Sequence, residues 1–261
     1  MRIVLFSILW NEARMLPFFF RHYDPWVGRY VMYDDGSTDG TLDLLAAHPR
    51  VEIRRFPRTA PDSFVLSALL LHDRMWKECR GNADWVVITA VDEHLHHADM
   101  PGYLARCKRA GASAIPALGF QMVAPDFPAP GEWLAATRRM GAPFDQMNKL
   151  SIFDPDRIAE TNYRPGRHWA RPEGEVVMPA TDEVVNLHYK YLGLGHVGER
   201  HRLLATGLGP LDRAARWGSQ YNWSEAELKA EWDGFVARAI DYMQRPAQGA
   251  GHPGRWWRPD R

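Results

Sequence analysis

At 261 residues the chain is long enough to bury a sizeable core, and 46% hydrophobic with 25% charged residues is ordinary for a globular protein. Lys+Arg and Asp+Glu both number 32, so no net field draws the chain to nucleic acid or an anionic surface. No run approaches the ~20 apolar residues of a membrane span. Residues 2–10 are too short for a signal segment, and Cys79 and Cys107 stand in no metal or redox spacing. A soluble, cytoplasmic chain is expected.

Residues 2–9 (RIVLFSIL) are an unbroken apolar run, the mark of a strand buried on both faces of a parallel sheet. Asn11-Glu12 closes it, and a helix is expected from there to about Tyr23, carrying Phe18, Phe19 and Phe20. Residues 30–33 (YVMY) are β-branched and aromatic and read as a second buried strand. From Gly36 to Thr41 the chain turns into a short helix. Glycine takes φ > 0, Ser37 or Thr38 caps, and Asp39 suits the positive helix end. Residues 51–56 give a third strand. Over residues 61–79 a single helix is expected, with Phe64, Ala68, Leu71, Met75 and Cys79 spaced as one buried face requires. Residues 84–91 (DWVVITAV) are a fourth buried strand, ending in Asp92, Glu93 and His94. Strands alternating with helices predict βαβ units and an α/β fold, a doubly wound and mostly parallel sheet.

Beyond Pro101 the rhythm changes. A helix is expected over 103–109, a strand over 113–122 and a Pro- and Gly-rich loop over 123–132. Residues 149–153 and 184–189 read as two further strands, antiparallel to the first set. From His196 onward the pattern is helical, with Ser224 and Glu227 forming a capping box. The tail from Gln244 reads as loosely held, which leaves Trp256-Trp257 free to rest on a partner or a membrane surface. The expected organisation is a sheet domain over 1–194 and a helical C-terminal region over 195–261.

Three polar tips, Asn11-Glu12, Asp34-Asp35 and Asp92-Glu93, share one edge of such a sheet, where open α/β folds bind ligands. Carboxylates there suit a nucleotide's ribose and, through a hard divalent cation, its pyrophosphate. Asp34 and Asp35 equally suit a purely structural turn. The stretches NEARMLPFFFRHY and RYVMYDDGSTDGT, followed by a buried strand ending VDEH, resemble the family 2-type glycosyltransferases of GT-A fold over residues 1–97. NKLSIFDPDRI and NLHYKYLG are similar to later segments of one bacterial branch.

The resemblance implies a GT-A-like sheet over 1–194 that binds a nucleotide-sugar, UDP-linked, and moves the sugar to a glycan or other hydroxyl acceptor. It implies that Asp35, with Asp34, Asn11 and Glu12 beside it, contacts base and ribose. It also implies that Asp92 ligates Mn²⁺ or Mg²⁺ on the diphosphate, with His188 as a further ligand. Lys149, Arg164, Arg167 and Lys190 are candidate cations for the same phosphate oxygens. Inversion needs a carboxylate within reach of the acceptor hydroxyl. Asp126, Asp145, Asp182 and Glu183 follow the sheet, and of these Asp145 and Asp182 are the catalytic candidates, Asp145 first because it precedes Asn148-Lys149. The chain departs from the family at Ala90, where the first acid of an Asp-x-Asp pair is expected, and at His94, where an aromatic residue is common.

Two other readings stay open. One is a non-catalytic nucleotide-sugar or glycan-binding relative, with Ala90 marking lost metal binding. The other is a zinc-dependent hydrolase built on His94, His96 and His97, since imidazole with carboxylate suits Zn²⁺. Trp133, Trp169, Trp217, Tyr221 and Trp223 are candidate platforms for a sugar face, Trp133 and Trp169 first because they lie in loop-like stretches.

Overall fold

The computed structural model describes residues 1–246 and 249–258. Strands β1 (Ile3–Leu9), β2 (Arg29–Asp34) and β3 (Val51–Arg55) lie parallel, with α1 (Leu16–Tyr23) and α2 (Thr41–Ala46) as crossovers. Alternation along β1 sends Ile3, Leu5 and Leu9 to one core and Val4 and Phe6 to the other, which is why the run reads as continuously apolar. Helix α3 (Phe64–His72) starts at Ser63, whose hydroxyl accepts from the Leu66 N–H, and leads to β4 (Trp85–Ile88) on the far side of β1. The expected helix over 61–79 is broken. It stops at His72 because Asp73 turns to accept from Thr161 Oγ1 and Tyr163 N, and a 3₁₀ turn at Met75–Cys79 resumes the course. Ala68, Leu71, Met75 and Cys79 still bury in one core.

The chain continues through β5 (Glu93–His96), α4 (Met100–Arg109), β6 (Ala114–Ala124), α5 (Leu134–Thr137), β7 (Met140–Pro143) and β8 (Lys149–Phe153). After them come β9 (Ile158–Glu160), β10 (Glu173–Gly174) and β11 (Val185–Leu192), then α6 (Leu194–Gly207), α7 (Pro210–Ala214), α8 (Glu225–Arg238) and β12 (Ile240–Asp241). The main sheet has ten strands in the order β12-β7-β6-β8-β4-β1-β2-β3, and β11 branches from β6 and carries β5. β1, β2, β3, β4, β6, β11 and β12 run one way and β5, β7 and β8 the other, so the α/β sheet is mixed and mostly parallel.

Three expectations change. β8 is antiparallel to β4 as expected, but β11 runs parallel to β6. Instead it is β5, the EHLH after the β4 tip, that doubles back antiparallel on β11. The C-terminal region is not all helix: Ile240 and Asp241 extend the sheet beside β7, and Val197, Leu228 and Phe235 share a core with Val123, Ala142 and Tyr191. Nor is the tail loose over its described residues 249–258. Trp256 Nε1 donates to Asn148 O (3.1 Å), Trp257 Nε1 to Asp182 Oδ1 (2.9 Å), and both rings pack on the cores. At the other end of the sheet β3 is an edge strand, cross-linked by Arg29–Glu52, Arg54–Glu52 and Arg54–Glu78 ion pairs. Among the described residues no helix is long and apolar enough to cross a membrane.

Candidate active site

The turn after β2 is stitched to the tip of β1. Asp34 folds its carboxylate back onto Gly36 N (2.9 Å) and Ser37 N (3.1 Å), an Asx turn, and Gly36 takes φ 82°. Ser37 Oγ then accepts from Asn11 N (2.8 Å), Thr38 N donates to Asn11 Oδ1 (2.7 Å), and Thr41 Oγ1 accepts from Glu12 N (2.8 Å). Asn11 sits in the left-handed region at φ 53°, which asparagine tolerates. The DGSTDGT stretch thus works as a brace that aims the β1 tip into a cleft.

That cleft encloses about 200 Å³. Asn11, Glu12 and Asp39 form one side, Asp92 and Lys190 another, and Arg200 from α6 closes it. Arg200 pairs with Glu12 and donates to Trp10 O (3.0 Å) and Asn11 O (2.9 Å), so α6 is tied to the β1 tip. Burial pushes the Glu12 carboxyl up to about 8, with Arg200 pulling the other way and Asp92 and Asp39 adding to the rise. For Asp92 burial also acts upward, but His188, Lys190 and Arg200 outweigh it and hold the carboxyl well below its ordinary range.

Asp92 faces His188, with Oδ2 and Nε2 3.4 Å apart. The ring is oriented from behind. Gln121 Nε2 donates to His188 O (3.1 Å), which leaves Gln121 Oε1 to accept from His188 Nδ1 (2.7 Å). The Nδ1 proton is therefore committed, and whenever Nε2 carries no proton its lone pair faces a carboxylate oxygen. Two lone pairs so placed repel unless a proton or a cation stands between them. One carboxylate and one imidazole, the latter backed by an amide, fit a divalent ion that takes its remaining ligands from phosphate and water. Among the described residues no group of three or more His, Cys, Asp or Glu side chains is placed to hold a metal ion.

The histidines after Asp92 do not converge. His94 is buried and stacks on His22 (centroids 4.7 Å apart), whereas His97 stacks on Tyr103 (4.6 Å) and faces Glu183 (3.2 Å). His94 and His96 share one face of β5 and both lie against His22, while His97 falls past the end of the strand, so among the described residues the three do not assemble into a zinc site.

The structure brings Asn11, Glu12, Asp92 and Lys190 into the cleft, with His188 facing Asp92, and sets the other candidates apart. Asp34 is spent on its turn. Asp35 makes a two-point ion pair with Arg58 (2.9 and 2.5 Å) beside Gly207. Lys149 and Arg167 do not face the cleft: both are buried against Glu93, at 2.6 and 2.9 Å. Asp145 is exposed against the tail at Gly254, outside the cleft lining. Asp182 is buried and anchors Arg255, Arg258 and Trp257, which makes it a tail clamp and not a base facing the cleft. Arg164 lies over the Trp169 ring (4.4 Å), and Trp133 is 46% exposed near His96. The sequence reading missed Arg200, Glu199 and His196, which α6 returns to the cleft.

No family model matches the chain, and no curated protein matches it. Among solved structures it is similar to TarS of S. aureus at 10% identity and TM-score 0.40, covering 89% of this chain and 43% of that one. TarS 1-349 matches at 11% identity and TM-score 0.36, over 91% of this chain and 71% of that one. TarS 1-349 in complex with UDP matches at 10% identity and TM-score 0.40 with the same coverage. The chain therefore spans less than half of the longer TarS chain.

Proposed function

We propose that this chain is a glycosyltransferase that takes a sugar from a nucleoside diphosphate, UDP-linked, and delivers it to an acceptor hydroxyl with help from Mn²⁺ or Mg²⁺. The observation that carries this reading is the Asp92–His188 pair at the tip of the mostly parallel sheet, whose facing atoms, 3.4 Å apart, take a proton or a cation between them. Asp92 and His188 would hold the ion, which when bound supplies Lewis-acid neutralisation of the departing diphosphate. Lys190 and Arg200 act on the same side: both pull on the Asp92 carboxyl and both line the cleft where phosphate charge would gather. Outside the cleft lining, at the β2 tip that neighbours β1, the Asp35–Arg58 pair offers one acceptor and one donor, the complement of a uracil imide edge with its N–H and carbonyl.

For inversion the base is a cleft carboxylate. Asp39 is occupied by Thr41 and by the Ala13 N–H, and Glu12 by Arg200. Glu199 on α6 makes a 3.6 Å ion pair with exposed Arg14 and keeps oxygens free for an acceptor hydroxyl. The test is UDP release by the purified protein from a panel of UDP-hexoses with Mn²⁺, with and without added acceptors. Mn²⁺-dependent turnover that Asp92→Asn lowers at least 100-fold supports the reading. Donor binding without turnover would mark a binding protein, and neither binding nor turnover would overturn the proposal.

A further inference from the structure

We infer that Glu93, Lys149 and Arg167 form a buried positioning triad that holds the Asp92 carboxylate at the cleft, an inference that rests on the reading of Asp92 given above. The three side chains are no more than 5% exposed. Glu93 receives Lys149 Nζ on one oxygen (2.6 Å) and Arg167 Nη2 on the other (2.9 Å). Arg167 Nη1 also donates to Ile88 O (2.8 Å), the last residue of β4, so one guanidinium grips the chain on both sides of the Asp92 loop. The backbone is pinned as well. Thr89 Oγ1 and the Tyr23 hydroxyl both donate to Glu93 O (2.8 and 2.7 Å), and Tyr189 N donates to Asp92 O (2.7 Å).

Two features set this triad apart from a stabilising ion pair. Arg167 is reached by an unusual path: Gly166 at φ 71° is followed by Arg167 itself at φ 58°, a left-handed conformation that an arginine adopts only when its surroundings hold it there. Buried ion pairs are also a poor source of stability, since apolar replacements of like volume often do as well. What the charges do accomplish is local. Asp92 and Glu93 together balance Lys149 and Arg167, and Lys149 already feels Asp92. With Glu93 neutralised, Lys149 and Arg167 lose their shared partner, and Lys149, which already feels Asp92, draws that carboxylate inward, away from His188 and the cleft.

The experiment is calorimetric titration of the full chain with UDP, with Mn²⁺ and with EDTA, for wild type, Glu93→Gln, Arg167→Lys and Asp92→Asn, each melted in parallel. Glu93→Gln is expected to weaken Mn²⁺-coupled UDP binding at least tenfold while changing metal-free UDP binding less than twofold. Arg167→Lys keeps the charge and loses the second grip, so a smaller loss confined to the Mn²⁺ arm is expected. A folded Glu93→Gln with wild-type affinity in Mn²⁺ overturns the inference, as does an equal loss in both arms, which is what a general loosening would produce. If Glu93→Gln does not fold, Arg167→Lys decides by the same comparison. If Asp92→Asn loses the Mn²⁺ coupling and the triad variants do not, the inference alone fails; if Asp92→Asn keeps it, the reading of the cleft fails with it.

Discussion

Replacing His22 by phenylalanine should make the protein less stable at neutral pH and more stable in acid. His22 is 6% exposed on α1, stacked on His94, with Nε2 bonded to Leu95 O (2.8 Å) and Nδ1 without a partner. Burial pushes its imidazolium down from 6.5 to about 4, against the opposing pull of the Leu95 carbonyl. A histidine whose folded value is depressed leaves the unfolded chain binding the extra proton, so its stability is intact above 6.5 and drains away as pH falls toward 4. The gap is worth about 3 kcal/mol in full, gathered at roughly 1.4 kcal/mol for each pH unit below 6.5. Phenylalanine removes that drain but leaves Leu95 O unpaired, a cost of about 1.5 kcal/mol at any pH. The two stability curves should therefore cross between pH ~5 and ~6, with the variant ahead by about 1–2 kcal/mol at pH ~4. Urea unfolding from pH ~7.5 down to ~4 measures both curves, given a two-state transition. A difference between the proteins that does not change with pH would refute the reasoning.

Asp35→Ala should weaken UDP binding more than tenfold in calorimetry while lowering Tm by less than about 5 °C, since Asp35 pairs with partly exposed Arg58; unchanged affinity would remove Asp35 from base recognition. Asp182→Ala removes the acceptor that Arg255, Arg258 and the Trp257 indole share, so a loss of about 3–5 kcal/mol is expected, with new tryptic cleavage after Arg245 and Arg255. A wild-type melt for that variant would show that the clamp is unimportant. Gly119→Ala should cost roughly 3 kcal/mol or more, because its Cβ would lie 2.4 Å from Met147 C and 2.5 Å from Phe144 O, both backbone atoms; soluble protein with an unchanged melt would contradict the packing of β6.

What the sequence made legible were the elements whose burial is local. β1, β2 and β4 are apolar runs because both their faces are covered, and α4 and α8 carry their own caps. β5 was read as the end of the preceding strand. Its four residues owe their conformation to β11, some ninety positions on, and nothing in EHLH announces that partner. The same distance effect governs the site. Asp34 and Asp35 are adjacent, yet one closes a turn and the other meets Arg58, and Lys149 looked like a phosphate cation until Glu93 was found against it. Asp182 was legible as an acid but not as an anchor, because its arginines lie in a tail that a pattern of Pro and Gly describes as loose. Arg200 reaches Glu12 from a helix with a weakly patterned sequence.

The charged edge at β3 bears on how molecules of this protein meet one another. An edge strand offers open backbone groups to any passing strand, and half-exposed Ile53 would favour such an encounter. Glu52 and Arg54 flank it, already bound to Arg29 and Glu78, so a second copy seeking to pair here must first break those links and strip water from the charges. Concentrated samples should accordingly stay free of lateral strand pairing at low ionic strength, and raising the salt, which screens exposed charges, should erode that protection before it affects the fold.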